Sequence, residues 1–200
     1  MKIICVQNNY NQNSKEFSHY YLNDPILFIK PDTSILKSKD FYIPEFSNEI
    51  HCELGIIIKI SKLGKYILQE NSIKHYEKIG IGLNFTAIDL YKKLKKSGLP
   101  WEKSKSFDGS SIISDFFPIK NFNDRANFHI QKNNNTLQNI NIQEKILIID
   151  ELISYISKYF TLRIGDLIFI KTSSDSIKII ENDLLDIYLD NEKILTTKIY

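Results

Sequence analysis

The sequence predicts a strand-dominated α+β fold, built as a single domain over residues 1–200. Three observations predict it. Short runs rich in Ile, Leu, Phe and Val recur along the chain and outnumber the stretches with helical spacing. These runs do not alternate with helices, so there is no βαβ rhythm and no reason to expect an all-parallel sheet. Nor does any period of roughly 20 to 50 residues recur, which sets solenoids and propellers aside.

The elements follow in order. Ile3 to Val6 opens the chain as a short apolar strand, and Ile26 to Lys30 reads as a second. Ile50 to Ile60 is a longer, largely apolar strand with Gly64 shortly after it. Ile79 to Phe85 is a fourth strand and runs straight into Thr86-Ala87-Ile88-Asp89. That tetrapeptide has the form of a capping box, with Thr86 as cap and Asp89 three residues on. It predicts a helix that stops at Ser97-Gly98 before Pro100, and puts Asn84 where a strand hands over to a helix. Residues 121–143 are polar, with Asn133-Asn134-Asn135 placed as a hairpin tip. From Gln143 to Phe160, Ile146, Ile149, Ile153 and Ile156 recur at three- and four-residue spacing, which predicts an amphipathic helix. Leu167 to Ile170, Leu184 to Leu189 and Leu195 to Ile199 complete the chain as strands.

Composition bounds the function. Of the 200 residues 42% are hydrophobic and 25% charged, the balance of a globular domain rather than a disordered chain. The 26 basic and 24 acidic residues leave a net charge of +2, which argues for neither nucleic acid nor an anionic membrane as partner. Two cysteines, Cys5 and Cys52, cannot build a disulfide framework or a four-cysteine zinc site. The apolar runs at Ile56–Ile58 and Ile146–Ile149 are far too short to span a bilayer, and Met1 to Asn9 shows no signal-peptide hydrophobic stretch with a small-residue cleavage site. A cytoplasmic protein is the expectation.

The familiar local signatures are missing: no phosphate-cradling glycine loop, nucleophile elbow, Cys-x-x-Cys or His-Glu-x-x-His occurs. One constellation remains. His51 and Glu53 alternate onto the same face of the long strand, which places two potential ligands together.

Longer strings carry more. Asn9-Tyr10, Phe28-Ile29-Lys30-Pro31-Asp32-Thr33, Glu53-Leu54-Gly55-Ile56-Ile57, Phe85-Thr86-Ala87-Ile88-Asp89 and the segment Gly98 to Phe107 occur in this order. Ile153 to Lys158, Leu162-Arg163-Ile164-Gly165-Asp166 and Glu181-Asn182-Asp183 follow. In order and spacing the chain closely resembles the fumarylacetoacetate hydrolase family, especially its small acylpyruvase and fumarylpyruvate hydrolase branch. The resemblance implies a mixed β-roll, a homodimer, and a Mg²⁺ or Mn²⁺ ion held by three carboxylates. It implies a metal-dependent hydrolase that cleaves a carbon–carbon bond of a small 2-oxo acid, with a His–Glu pair on a lid activating water. Some relatives decarboxylate oxaloacetate or isomerise related keto acids instead.

Residue by residue, the resemblance carries over unevenly. The metal strand Glu-x-Glu-Leu-Gly is matched by His51-Cys52-Glu53-Leu54-Gly55, so Glu53 keeps the second glutamate and His51 replaces the first. The metal aspartate is matched by Asn84, which offers only a neutral carbonyl. On the lid, Glu16 matches the catalytic glutamate, but the histidine three residues earlier is Asn13, which cannot take a proton near neutral pH. Lys105 matches a catalytic lysine, Gln138 a substrate-side glutamine and Thr172 the threonine of a Gly-Thr-Pro turn. An arginine that could bind a carboxylate is replaced by Ile88. The glycines of that turn are also gone, with Lys171 and Asp175 in their places, and strain is expected there if they need positive φ. Weak Mg²⁺ binding follows from one carboxylate in place of three.

Three readings stay open from the sequence: an enzyme with a rearranged metal site of His51, Glu53 and Asn84; a family member that binds ligand without turnover; and a structural partner that dimerises with an intact relative.

Overall fold

The computed structural model describes residues 1–7, 25–119, 127–141, 143–171 and 176–200. Its larger sheet contains β1 (Lys2–Gln7), β2 (Ile26–Pro31), β3 (Ile50–Ile60), β4 (Tyr76–Ala87), β5 (Ser111–Ile113), β6 (Phe117–Pro118), β9 (Leu167–Lys171) and β10 (Ile177–Ile179). Its main path runs β2-β1-β9-β3-β4-β5, with β10 on β3 and β6 on β4. The β1–β9 pair is parallel and the other pairs are antiparallel, so the sheet is mixed as expected. A second, antiparallel sheet has the order β12-β11-β7-β8, from β7 (Asn127–Lys132), β8 (Asn135–Asn141), β11 (Leu184–Leu189) and β12 (Glu192–Lys198). The α-helices among the described residues are α1 (Ile88–Lys96) and α2 (Gln143–Tyr159).

Period-two alternation in β3 divides the larger sheet into two faces. Ile50, Cys52, Leu54, Ile56, Ile58 and Ile60 are all buried in the main core, together with Ile149, Leu152, Ile153 and Ile156 of α2. Ile149, Ile153 and Ile156 of the helical stripe read from the sequence therefore pack where their spacing says they should. The other face, which holds His51, Glu53, Gly55 and Ile57, carries a smaller apolar cluster of Ile3, Cys5, Phe28, Ile57, Leu167 and Phe169. Gly55 is required there, because a Cβ would lie 2.3 Å from the Phe169 ring and 2.9 Å from the Ile170 carbonyl oxygen.

Local motifs give way to the ladder at one point. Thr86 is still a strand residue, paired with His51, and Ala87, without a side-chain cap bond, is the residue that precedes α1. The capping-box reading is thus corrected: pairing with β3 carries β4 as far as Ala87 opposite Ile50. Asp89 instead ties down the loop before β3, accepting from Ser47 Oγ at 2.6 Å and Asn48 N at 2.9 Å. The far end of α1 follows expectation, with Gly98 at φ +65° and the Leu99 N–H bonded to the Leu94 carbonyl. Asn133 and Asn134 both take positive φ between β7 and β8, as a hairpin tip demands.

Candidate functional site

Register gathers the polar groups of the second face. Glu53 of β3 stands opposite Asn84 of β4, which stands opposite Ser111 of β5. His51 and Thr86 form the next same-face pair. On the other side of β3, Lys171 of β9 is paired with Gly55, and Cys5 of β1 with Phe28 and Phe169. Lys30 lies two residues beyond Phe28 on the same face of β2, opposite Ile3. The segment after α1 contributes Lys105.

Glu53 is the carboxylate at the centre, and both of its oxygens face cations. Lys171 Nζ donates to Oε1 at 2.7 Å, and Lys105 Nζ lies 3.6 Å from Oε2. Burial alone would push this carboxyl upward, but Lys105 and Lys171 outweigh it and hold it below the usual carboxylate range. Lys105 is 2% exposed, donates to Thr86 Oγ1 at 3.1 Å and sits over the rings of Phe28 and Tyr91. Burial lowers its ammonium, against the pull of Glu53. A surface lysine paired with a surface acid is therefore not what this residue is.

Asn84 is wholly enclosed. Its Oδ1 accepts from Lys30 Nζ and, at 2.9 Å, from Ser111 Oγ, while Nδ2 points to Cys5 Sγ. Lys30 completes its bonding with the Ser110 carbonyl at 2.8 Å and Ser111 Oγ at 2.9 Å. Burial drives the Lys30 ammonium down to about 7 and the Cys5 thiol up to about 11. Asn84 lies within β4 rather than at the helix junction, which correction follows from the longer strand.

His51 shares the face of Glu53 but is engaged elsewhere. Its Nε2 donates to Glu49 Oε1 at 3.1 Å, and its Nδ1 is hydrogen-bonded to Ser176 Oγ at 2.8 Å. Lys171 extends as an ordinary strand residue and takes no positive φ, which removes the strain expected at that position. Gln138 is half-buried on β8 of the second sheet, opposite Ile130. Glu16, Asn13, Thr172 and Asp175 lie outside the described residues.

A divalent metal does not fit the groups that face one another here. Hard cations such as Mg²⁺ take several oxygens, preferably charged. Among the described residues, no three His, Cys, Asp or Glu side chains come together. The one central carboxylate is already neutralised, and the amide oxygen beside it receives an ammonium.

Sequence reasoning missed two participants. Lys30 was visible only as part of a Phe-Ile-Lys-Pro string, although period two places it on the face of Phe28. Lys171 reads as a turn residue until the β9–β3 register places it beside Glu53.

Residues 2–195 match the sequence profile of the fumarylacetoacetate hydrolase C-terminal family. The chain belongs to the fumarylacetoacetate hydrolase family. Its similarity to Oxaloacetate tautomerase YcgM of Escherichia coli is 31% identity over 202 residues, covering 99% of this chain and 92% of the relative. Among solved structures, a fumarylacetoacetate hydrolase family protein from Yersinia pestis superposes with TM-score 0.86 at 32% identity, over 100% of this chain and 92% of that one. Fumarylpyruvate hydrolase from Pseudomonas aeruginosa, in complex with Mn²⁺ and pyruvate, gives TM-score 0.87 at 25% identity, over 100% and 89%. The mixed-sheet fold expected of a fumarylacetoacetate hydrolase is present.

Proposed function

We propose that this chain binds a small anionic 2-oxo acid of the oxaloacetate type on the Glu53 face and interconverts its keto and enol forms. The carrying observation is charge: among the described residues, Lys30, Lys105 and Lys171 crowd that face against the single central carboxylate of Glu53. Such a surplus favours a ligand rich in carboxylates and stabilises an enolate as it forms. Lys105 is assigned the role of meeting the developing oxyanion, a choice supported by its ammonium lying 3.6 Å from Glu53 on that face. Tautomerisation needs a proton carried between carbon and oxygen but no attacking water, so the loss of a histidine at Asn13 harms it less than hydrolysis. Glu16, from the segment matched to the lid, is assigned the proton-carrying role, with Gln138 and Thr172 as substrate contacts. The similarity to an oxaloacetate tautomerase supports this choice over acylpyruvate hydrolysis.

One observation favours a second reading, in which the protein binds ligand without turnover. Lys30 donates to Asn84, Ser110 and Ser111, so its three hydrogens are all committed within the chain.

Ultraviolet absorbance of the oxaloacetate enol tests the proposal. Purified protein should accelerate its decay over the spontaneous rate, and Lys105→Met should remove the acceleration. Binding of oxaloacetate without acceleration would select the second reading. The proposal includes a cytoplasmic homodimer of single-domain subunits, the relative arrangement implied by family resemblance. Sedimentation at micromolar concentration should give twice the 23.4 kDa of the chain. No helix of the described residues is long and apolar enough to cross a membrane.

A further inference from the structure

We infer that the Lys171 ammonium is a built-in counter-cation for Glu53, standing where a divalent metal would bind that carboxylate and thereby excluding one. The register makes this possible. Lys171 leaves β9 opposite Gly55, which has no side chain to block its stem, and Glu53 is the next residue along the same face of β3. The lysine crosses this gap to reach Glu53 Oε1 at 2.7 Å. A Mg²⁺ ion bound to that oxygen would sit at about 2.0–2.1 Å, inside the space the ammonium already fills.

The surrounding groups are adjusted to a monovalent nitrogen cation. Lys105 covers the second Glu53 oxygen at 3.6 Å. The oxygen opposite, Asn84 Oδ1, receives Lys30 and Ser111, so it is neutral and doubly occupied. Both nitrogens of His51 are engaged with Glu49 and Ser176. A second positive ion would meet the ammonium groups of Lys105 and Lys171 and find one shared carboxylate. Lys171 is 9% exposed and held in the sheet, so its charge is part of the folded structure rather than a mobile surface tail.

The inference stands apart from the identity of the 2-oxo acid, because its readout is metal affinity and not turnover. Mn²⁺ binding, followed by the electron paramagnetic resonance of the free ion, is measured for wild type, Glu53→Gln, Lys171→Gly and the double variant. Wild type and Glu53→Gln should bind Mn²⁺ equally weakly. Lys171→Gly should bind at least tenfold more tightly, and Glu53→Gln should abolish that gain. Lys171→Ala is the second opening variant, and Mn²⁺ should raise the melting temperature of either variant but not of wild type. Glu53-dependent Mn²⁺ binding by wild type would overturn the inference, as would folded Lys171→Gly and Lys171→Ala proteins that gain no affinity. If neither opening variant folds, the wild-type comparison decides: equal weak binding upholds the inference and Glu53-dependent binding overturns it.

Discussion

Glu53 and Asn84 stand directly opposite each other across the β3–β4 ladder, and each gives an oxygen to a different lysine. Glu53 takes Lys171 from β9, and Asn84 takes Lys30 from β2. Four strands are thereby tied together through one polar seam beside the apolar cluster of Phe28, Ile57 and Phe169. The seam is chemical and structural at once, and its parts respond differently to substitution.

Removing the central charge should destabilise the fold. Glu53→Gln leaves Lys105 and Lys171 buried with no carboxylate between them. Breaking a buried pair from one side costs about 3–5 kcal/mol. The loss should show as a lower urea midpoint with an unchanged slope, and Lys171→Met in the same background should recover part of it. An unchanged midpoint would mean that the lysines swing out to solvent.

Acid should weaken the protein through carboxylates outside this seam. Asp183 accepts from Lys132 Nζ at 2.7 Å, Ile180 N at 2.8 Å and Asn133 Nδ2 at 2.8 Å. Asp166 takes Lys2 and the Arg163 N–H. In both, burial works upward but these partners prevail, so the folded carboxyl is held below its ordinary value. The unfolded chain therefore takes up these protons first. Their contribution is complete above the unfolded value of about 3.9 and is lost as pH falls through the lower folded values. Stability measured from about pH 5 downward should decline, and Asp183→Asn should flatten that decline. An equally steep decline in the variant would assign the acid sensitivity to other groups.

Two glycines should separate packing from backbone strain. Gly55→Ala would force a Cβ to within 2.3 Å of the Phe169 ring and 2.9 Å of a carbonyl oxygen, with no room to relax toward the backbone. Overpacking of this kind costs about 1–3 kcal/mol. Gly98→Ala meets nothing within 4 Å, and its cost comes from φ +65° alone, about 1–2 kcal/mol. Both should lower the thermal midpoint, but only Gly55→Ala should also weaken oxaloacetate binding, because Phe169 borders the seam. Equal effects on binding would remove Phe169 from the site's support.

Much of this architecture is legible in the sequence, and the exceptions have physical causes. The bounds of β3 and the buried stripe of α2 follow from apolar periods that extend over many residues. By contrast, β5, β6 and β10 are two or three residues long, too short for any period to emerge. Thr86 carried a correct local motif that a long-range ladder overrode. Asp166 and Asp183, read as family strings, prove to be structural anchors for turns. Glu53 is legible because strand alternation and family resemblance agree on it, whereas Asn84 rests on the resemblance alone. Lys30 lies 54 residues from Asn84 and Lys171 118 from Glu53, separations at which only register reveals a contact.

Rebuilding a metal centre should therefore take three changes rather than two. His51→Glu adds a carboxylate on the face of Glu53, and Asn84→Asp restores charge opposite it. Alone, however, the new aspartate would pair with Lys30, whose ammonium already bonds to that oxygen, and Glu53 would keep Lys171. The double variant should gain Mg²⁺ affinity only modestly, within about tenfold, since its added charge is absorbed by buried ammonium groups. Adding Lys171→Gly frees the Glu53 oxygen, and the triple variant should bind Mg²⁺ more tightly than the double by about a hundredfold or more, as hard cations respond to ligand charge. Isothermal titration of the double and triple variants separates these steps. A large gain in the double variant would show that Lys171 yields readily to a metal, and no gain in a folded triple variant would show that positions 51, 53 and 84 do not converge. Turnover should stay low in the triple variant until Asn13→His supplies a base for water, because holding a metal and moving a proton are separate requirements.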